Sequence, residues 1–113
     1  MAKKHHHAIY SYLVVIMTHI IKWKSQSDKK SKSWENSIEN SQKAIEDIRD
    51  NNPGISDASI QGKWEKAFSE ANKKAEKEME KKSTVDNLTW EQVFETKYVL
   101  TVLAIVGLIA WLS

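Results

Sequence analysis

The stretch that decides the fold runs from His19 to Trp34 and reads HIIKWKSQSDKKSKSW. It opens with the predicted polar end of an apolar helix and closes on Ser33 and Trp34, where the next helix is predicted to begin. The connector between the two helices contains no Pro, no Gly and a single acid, Asp28. Two tryptophans, Trp23 and Trp34, therefore bracket a basic connector. This pattern predicts that the helices on either side of it pack against each other.

The composition of the 113-residue chain favours helices. Gly (3) and Pro (1) are scarce, whereas Lys, Glu, Ala and Ile are abundant, so strands and tight hairpins are disfavoured. A chain of this length can bury the core of a three- or four-helix bundle, but no large enclosed active-site cavity. We therefore predict an all-α fold, with a small helical bundle of three to four helices over residues 1–97 and a C-terminal apolar helix at 98–113. The absence of Cys excludes disulfides and thiolate metal sites, and it is consistent with a cytoplasmic location.

The net charge of +2 hides a difference between the two parts of the chain. Residues 1–32 carry seven lysines and one acid, whereas residues 33–113 carry ten Lys or Arg against fourteen acids. A basic front end attracts nucleic acid or anionic lipid, although a charge of this size is also typical of a solvated surface. Because the connector contains no Arg, it is poorly suited to reading base edges, and a solvated loop is the preferred interpretation. The candidate nucleic-acid contacts are Lys22, Lys24, Lys29, Lys30 and Lys32.

An apolar run, Ala8–Trp23, predicts the central helix of the bundle over about residues 6–24. Its apolar side chains fall at helical spacing and form a wide stripe. The run resembles a signal peptide, but Lys22 and Lys24 follow too soon and no small-residue cleavage site is present. It is also shorter than the roughly 20 apolar residues that a membrane span needs. His19 lies one turn before Trp23, where a lone histidine is more often structural than a metal ligand or a base.

The second helix is predicted over about residues 34–51. Ser33 is its candidate N-cap, and its apolar side chains, Ile38 among them, form a narrow seam. Pro53 cannot continue a helix and Gly54 permits a turn, so the helix ends just before them.

Two further helices are predicted in the second half of the chain. One is expected to be capped by Asp57 or Ser59 and to run without a break over about residues 58–82. The other is expected over about residues 89–97, because Thr89 and Gln92 have the spacing of a capping box.

The last segment, Tyr98–Leu112, has no charged side chain. As a helix it would be roughly 23–24 Å long, which is short of the ~30 Å hydrocarbon core of a bilayer. Lys97 and Trp111 flank it in the way that interfacial residues flank a membrane segment. Residues 98–113 are therefore interpreted either as a membrane anchor or oligomer-buried tail, or as a last helix packed on the bundle.

The chain resembles the bacterial, largely cyanobacterial, family known as domain of unknown function 29. The resemblance covers about residues 8–95 and keeps the order and spacing of the family pattern. Its structural motif residues are His19, Lys22, Trp23, Gln26, Ser33, Trp34, Ile38 and Pro53, with the later runs Pro53-Gly54-Ile55 and Thr89-Trp90-Glu91-Gln92-Val93. The resemblance implies a small all-helical protein and no catalytic residues.

The chain departs from the family pattern at three positions and at both ends. Ser27, Gln42 and Gly54 stand where the family usually has Pro, Arg and Ser. The family begins with an earlier aromatic and acidic helix and ends without an apolar tail, so we expect a member that is shortened at its N-terminus and extended at its C-terminus.

No catalytic, cofactor-binding or metal-binding constellation is recognisable. The adjacent His5, His6 and His7 point in different directions on a helix and make a poor metal site. Glu39, Glu46 and Asp50 lie near one face of the second helix and are interpreted as solvated surface.

The leading hypothesis is a non-catalytic protein-interaction module whose partner is another protein or a second copy of the chain. The alternatives are a nucleic-acid-associated module using the basic connector and a small protein anchored in a membrane through residues 98–113.

Overall fold

The computed structural model describes residues 2–100. This part of the chain forms helices and no strand, so the predicted all-α fold is confirmed. Its elements are α1 (Ala2–Ser25), a 3₁₀ turn (Ser27–Lys29), α2 (Lys32–Asn51), α3 (Asp57–Gln61), α4 (Trp64–Met79) and a single π-helical turn (Glu91–Glu95). Within this range no helix is both long and apolar enough to cross a membrane. The predicted C-terminal helix lies outside the described residues except for Tyr98–Leu100, which are not helical.

α1 is the central helix of the bundle, as its wide apolar stripe predicts. It packs against α2 on one side and against α4 on the other, while α2 and α4 contact each other little. Seven of its apolar side chains are at most 2% exposed because the two flanking helices cover most of its circumference. These are Ile9, Leu13, Val14, Ile16, Met17, Ile20 and Ile21.

The two flanking helices run in opposite directions relative to α1. α2 returns antiparallel to α1 through the short connector. α4 is parallel to α1, since contacts between the two segments advance together along both chains. The Lys63 ammonium lies 3.1 Å from Nδ1 of His6, and the Lys22 ammonium lies 3.2 Å from the Glu78 carboxylate.

The segment from Val85 to Tyr98 links α4 to α2. On the α4 side, the Trp64 indole N–H donates a hydrogen bond of 2.8 Å to the Leu88 carbonyl. On the α2 side, the Gln42 amide donates a hydrogen bond of 2.6 Å to the Val93 carbonyl. Leu88 and Val93 are themselves buried, so this segment completes the core.

The N-cap of α2 is Ser31, not the predicted Ser33. The Ser31 hydroxyl accepts a hydrogen bond of 3.2 Å from the Trp34 backbone N–H, and its backbone is extended as an N-cap requires. Ser33 is an exposed residue inside the first turn. Both serines stand at plausible cap positions, and the earlier one lies directly before the first helical residue.

The predicted helix over residues 58–82 is divided in two. Its cap is Ser56, whose hydroxyl accepts a hydrogen bond of 3.2 Å from the Ser59 backbone N–H, so the predicted caps were wrong. The chain then turns at Gly62 and Lys63, where the Lys63 N–H bonds to the carbonyl three residues earlier rather than four. Glycine has a low helix propensity, which favours such a break.

The C-terminal boundaries also differ from the predictions. α4 ends at Met79 because the next residue, Glu80, has a left-handed backbone (φ 56°). The predicted helix over residues 89–97 is reduced to Trp90 and the π-helical turn. Its capping box is present, since Thr89 N–H donates to the Gln92 side chain at 2.8 Å and Gln92 N–H donates to the Thr89 hydroxyl at 3.1 Å.

Candidate functional site

Lys22 is a packed residue rather than an open cationic contact. Its ammonium donates to the Glu78 carboxylate at 3.2 Å and lies 4.9 Å from the centre of the Trp34 ring. The residue is buried, which requires that its aliphatic stem replace water against the helices. Lys22 therefore joins α1 to α2 and α4 at one point.

The connector folds back on the two tryptophans of the motif. The Lys30 ammonium lies 4.9 Å from the centre of the Trp23 ring, and Tyr98 packs edge-on against the same ring with centroids 5.7 Å apart. The Tyr98 hydroxyl donates to the Gln92 carbonyl at 2.7 Å, and burial raises the pKa of this phenol. Trp23 is itself buried, so little of its ring is accessible for stacking on a base.

Glu35 anchors the end of the described chain to the start of α2. Its carboxylate accepts a hydrogen bond of 3.0 Å from the Lys32 ammonium and one of 3.1 Å from the Leu100 backbone N–H. These hydrogen bonds, with that of Lys32 first, hold the pKa of Glu35 below its ordinary value.

Of the five candidate nucleic-acid contacts, three are thus engaged within the chain. Lys24 and Lys29 are exposed, and no ion pair or cation–π contact joins either of them to another described residue.

The remaining motif residues make contacts that support the fold. The Nδ1 atom of His19 donates a hydrogen bond of 2.8 Å to the Val15 carbonyl of the preceding turn. Gln26 is buried, and its carbonyl accepts the Lys29 N–H at 2.9 Å, which closes the 3₁₀ turn. Ile38 belongs to the core, and Pro53 lies in the turn that follows α2.

A surface depression lies elsewhere, along the outer face of α2. We call it the α2 groove. Its volume is about 710 Å³, which is within the range of ligand and peptide sites. It is lined by Glu39, Gln42, Lys43, Ile45, Glu46, Asp47, Arg49, Asp50, Pro53, Ile55, Trp90 and Phe94.

One wall of the α2 groove is aromatic. Trp90 and Phe94 are half-buried, with ring centroids 4.6 Å apart. Trp90 also stacks on Trp64 of α4, with centroids 5.7 Å apart and an interplanar angle of 19°. The hydrogen bond from Gln42 to Val93 holds this wall against α2. The aromatic surface is therefore fixed in position while part of it stays open to solvent.

The side chains that α2 contributes to the α2 groove are mainly acidic, and we call them its rim. Four carboxylates line the groove against two cationic side chains, which gives a net charge of −2. One of the two cations, Arg49, is already paired with Asp57 at 2.6 Å and also donates to the Ile55 carbonyl at 3.4 Å. The rim carboxylates belong to Glu39, Glu46, Asp47 and Asp50, and all four residues are exposed.

The α2 groove was missed by the sequence analysis, which interpreted Glu39, Glu46 and Asp50 as solvated surface. Their spacing correctly places them on one face of α2. What the spacing does not reveal is the aromatic wall, because Trp90 lies forty residues or more away along the chain and reaches α2 only through the fold. Gln42 supplies the hydrogen bond that holds the aromatic wall against α2.

The arrangement suits the binding of cationic and apolar groups. Among residues 2–100, no group of three or more His, Asp or Glu side chains could hold a metal ion. Carboxylates beside aromatic faces are complementary to ammonium and guanidinium groups.

Comparison with known proteins identifies one family. The family model described as Domain of unknown function DUF29 matches residues 1–101. No curated protein and no solved structure matches the chain significantly.

Proposed function

The chain belongs to the family described as Domain of unknown function DUF29, and from the α2 groove we propose that it is a non-catalytic module that binds another protein. The observation that carries this proposal is the pairing of a fixed, partly exposed aromatic wall with an acidic rim in one open groove. Tryptophan and other aromatic side chains are enriched at the centres of protein interfaces, and charges around them select the partner.

A protein partner is favoured over a nucleic acid by the charges. The acidic rim repels phosphates, and Lys22, Lys30 and Lys32 are engaged within the chain. A phosphate-binding surface needs several cationic groups that can approach the backbone together. The geometry of the connector is that of a packed corner of the bundle.

The proposal is tested with a double charge reversal on the rim, Glu46→Lys with Asp50→Lys. The matched control is Glu65→Lys with Asp86→Lys, which changes the net charge equally in a second surface depression beside Phe68. All four positions are exposed, so the fold is expected to survive each change. The full chain and both variants are immobilised and exposed to an extract of the cells that produce it.

We expect a protein that the full chain and the control retain and that the rim variant loses. Far-UV circular dichroism confirms that both variants are folded. If the rim variant retains every protein that the full chain retains, the α2 groove is not an interaction site and the proposal fails.

A further inference from the structure

We propose that the partner of the α2 groove is an amphipathic helix that places an apolar side chain on Trp90 and Phe94 and presents Lys or Arg side chains to the rim. This inference rests on the proposed function and specifies the chemistry of the partner. Helices that lie in grooves are recognised by anchors at helical spacing.

The length of the α2 groove fits a helix. Its lining residues on α2 run from Glu39 to Asp50 and continue to Pro53 in the following turn, a distance of roughly 20 Å at 1.5 Å per residue. An equal length of helix has about four turns, which is enough for two or three anchoring side chains.

The acidic side chains have a regular spacing along that length. Glu39, Glu46 and Asp50 are seven and four residues apart, so they lie on one face of α2. A helix packed lengthwise on this face would meet them with cationic side chains at the same seven- and four-residue spacing. The rim therefore selects a periodic charge pattern rather than a general positive charge.

The acids near the end of α2 are not explained by the stability of the helix. Asp50 falls within its last turn, where the helix dipole disfavours negative charge, and Glu46 and Asp47 lie about one turn earlier. Arg49, the basic residue of the last turn, is occupied by Asp57. Cationic side chains of a bound partner would offset this repulsion. The acidic rim would therefore favour binding, although it does not stabilise the free protein.

The basic connector of a second copy fits the α2 groove less well than a separate helix does. Its lysines Lys24 and Lys29 are exposed, but its tryptophan, Trp23, is buried and lies under the Lys30 ammonium. The connector would thus offer charge to the rim without an aromatic anchor for Trp90 and Phe94. Self-association remains an outcome that the experiment distinguishes.

The experiment uses three synthetic helical peptides of about 18 residues, long enough to span the groove with a turn to spare. They share one leucine face and carry Lys, Gln or Glu at polar positions with the seven- and four-residue spacing. Isothermal titration calorimetry measures their affinity for the full chain, the Glu46→Lys/Asp50→Lys variant and the Glu65→Lys/Asp86→Lys control. Chemical shifts of the indole N–H groups report whether Trp90 is contacted.

We expect the Lys peptide to bind the full chain and the control at least about tenfold more tightly than it binds the rim variant, and the Glu peptide not to bind. Raising the salt concentration should weaken binding of the Lys peptide and leave that of the Gln peptide almost unchanged.

Three results would overturn the inference. Equal affinities for the Lys and Gln peptides would show that charge does not select the partner. An equal loss of affinity for the Lys peptide in the rim variant and in the control would show that the attraction is not specific to the α2 groove. Self-association of the full chain and the control, absent in the rim variant, would identify a second copy as the occupant.

The peptide experiment can fail independently of the capture experiment that tests the proposed function. If the peptides fail but capture from the extract still depends on the rim, the α2 groove binds a protein of another kind. If both fail, the proposed function falls with the inference.

Discussion

Lys22 is a charged residue whose aliphatic stem contributes to the packing of the helices. Its ammonium reaches Glu78, which is half exposed, while its stem packs beside Trp34. If the Lys22 side chain is removed, the Glu78 carboxylate is still solvated. The loss of stability therefore arises from the missing packing of the stem and the missing cation–π contact. We expect Lys22→Ala to lower the free energy of unfolding by about 1–3 kcal/mol and Lys22→Met, which keeps the stem, by clearly less.

Urea denaturation of the three proteins measures both effects. An equal loss in Lys22→Met and Lys22→Ala would show that the charge, and not the stem, stabilises this corner of the bundle.

The two candidate caps of α2 provide a matched pair. Ser31 accepts the Trp34 backbone N–H, whereas Ser33 is an exposed residue within the helix. We expect Ser31→Ala to cost about 1 kcal/mol, as the loss of an N-cap does, and Ser33→Ala to be neutral or slightly stabilising. Thermal unfolding compares the two, and a larger loss at Ser33 would contradict the assigned cap.

Glu35 makes stability depend on pH at the acidic end of the range. Because its pKa in the folded chain is lowered from the ordinary 4.5, its contribution is fully present above that value and is lost as the pH falls through the folded pKa. We therefore expect Glu35→Gln to be less stable than the unchanged protein at pH 7 and the difference to shrink below pH 4.5. Denaturation series at several pH values check the prediction, and a constant difference would refute it.

At the scale of the elements, the break between α3 and α4 can be tested at Gly62. Its backbone is helical (φ −63°, ψ −19°), and an added Cβ would lie 3.6 Å from the Ala58 and Ser59 carbonyl oxygens, an ordinary contact. We expect Gly62→Ala to raise the free energy of unfolding by about 0.4–1 kcal/mol because it restricts the unfolded chain. A loss of stability in chemical denaturation would show that the turn requires glycine.

The elements also show what sequence reasoning can reach. The apolar stripe of the first helix and the turn at Pro53 depend on local patterns, and both predictions were confirmed. The break at Gly62 was missed because the apolar spacing continues across it from Ile60 to Trp64. The aromatic wall could not be predicted, since the pairing of Trp64 with Trp90 depends on the path of the segment from Val85 to Tyr98.

At the scale of the whole molecule, stability depends on the central position of α1. Ile16 is fully buried, whereas its neighbour Val15 is 37% exposed on the side of α1 that the other helices leave open. We expect Ile16→Ala to cost about 2–5 kcal/mol, a large part of the stability of a domain of this size. Val15→Ala is expected to change stability by no more than about 0.5 kcal/mol.

Equilibrium denaturation distinguishes the two variants directly. Comparable losses at both positions would mean that a further element covers the Val15 side of α1.

The parallel arrangement of α1 and α4 has a consequence during synthesis. α1 leaves the ribosome before either of its flanking helices, and α2 follows it after a short connector. The side of α1 that meets α4 stays uncovered while the 54 residues from Gln26 to Met79 are added, which takes roughly 3–11 s at about 5–20 residues per second. During that interval the nascent hairpin of α1 and α2 presents an apolar face to solvent, so we expect the yield of folded protein to depend on chaperones that shield this face.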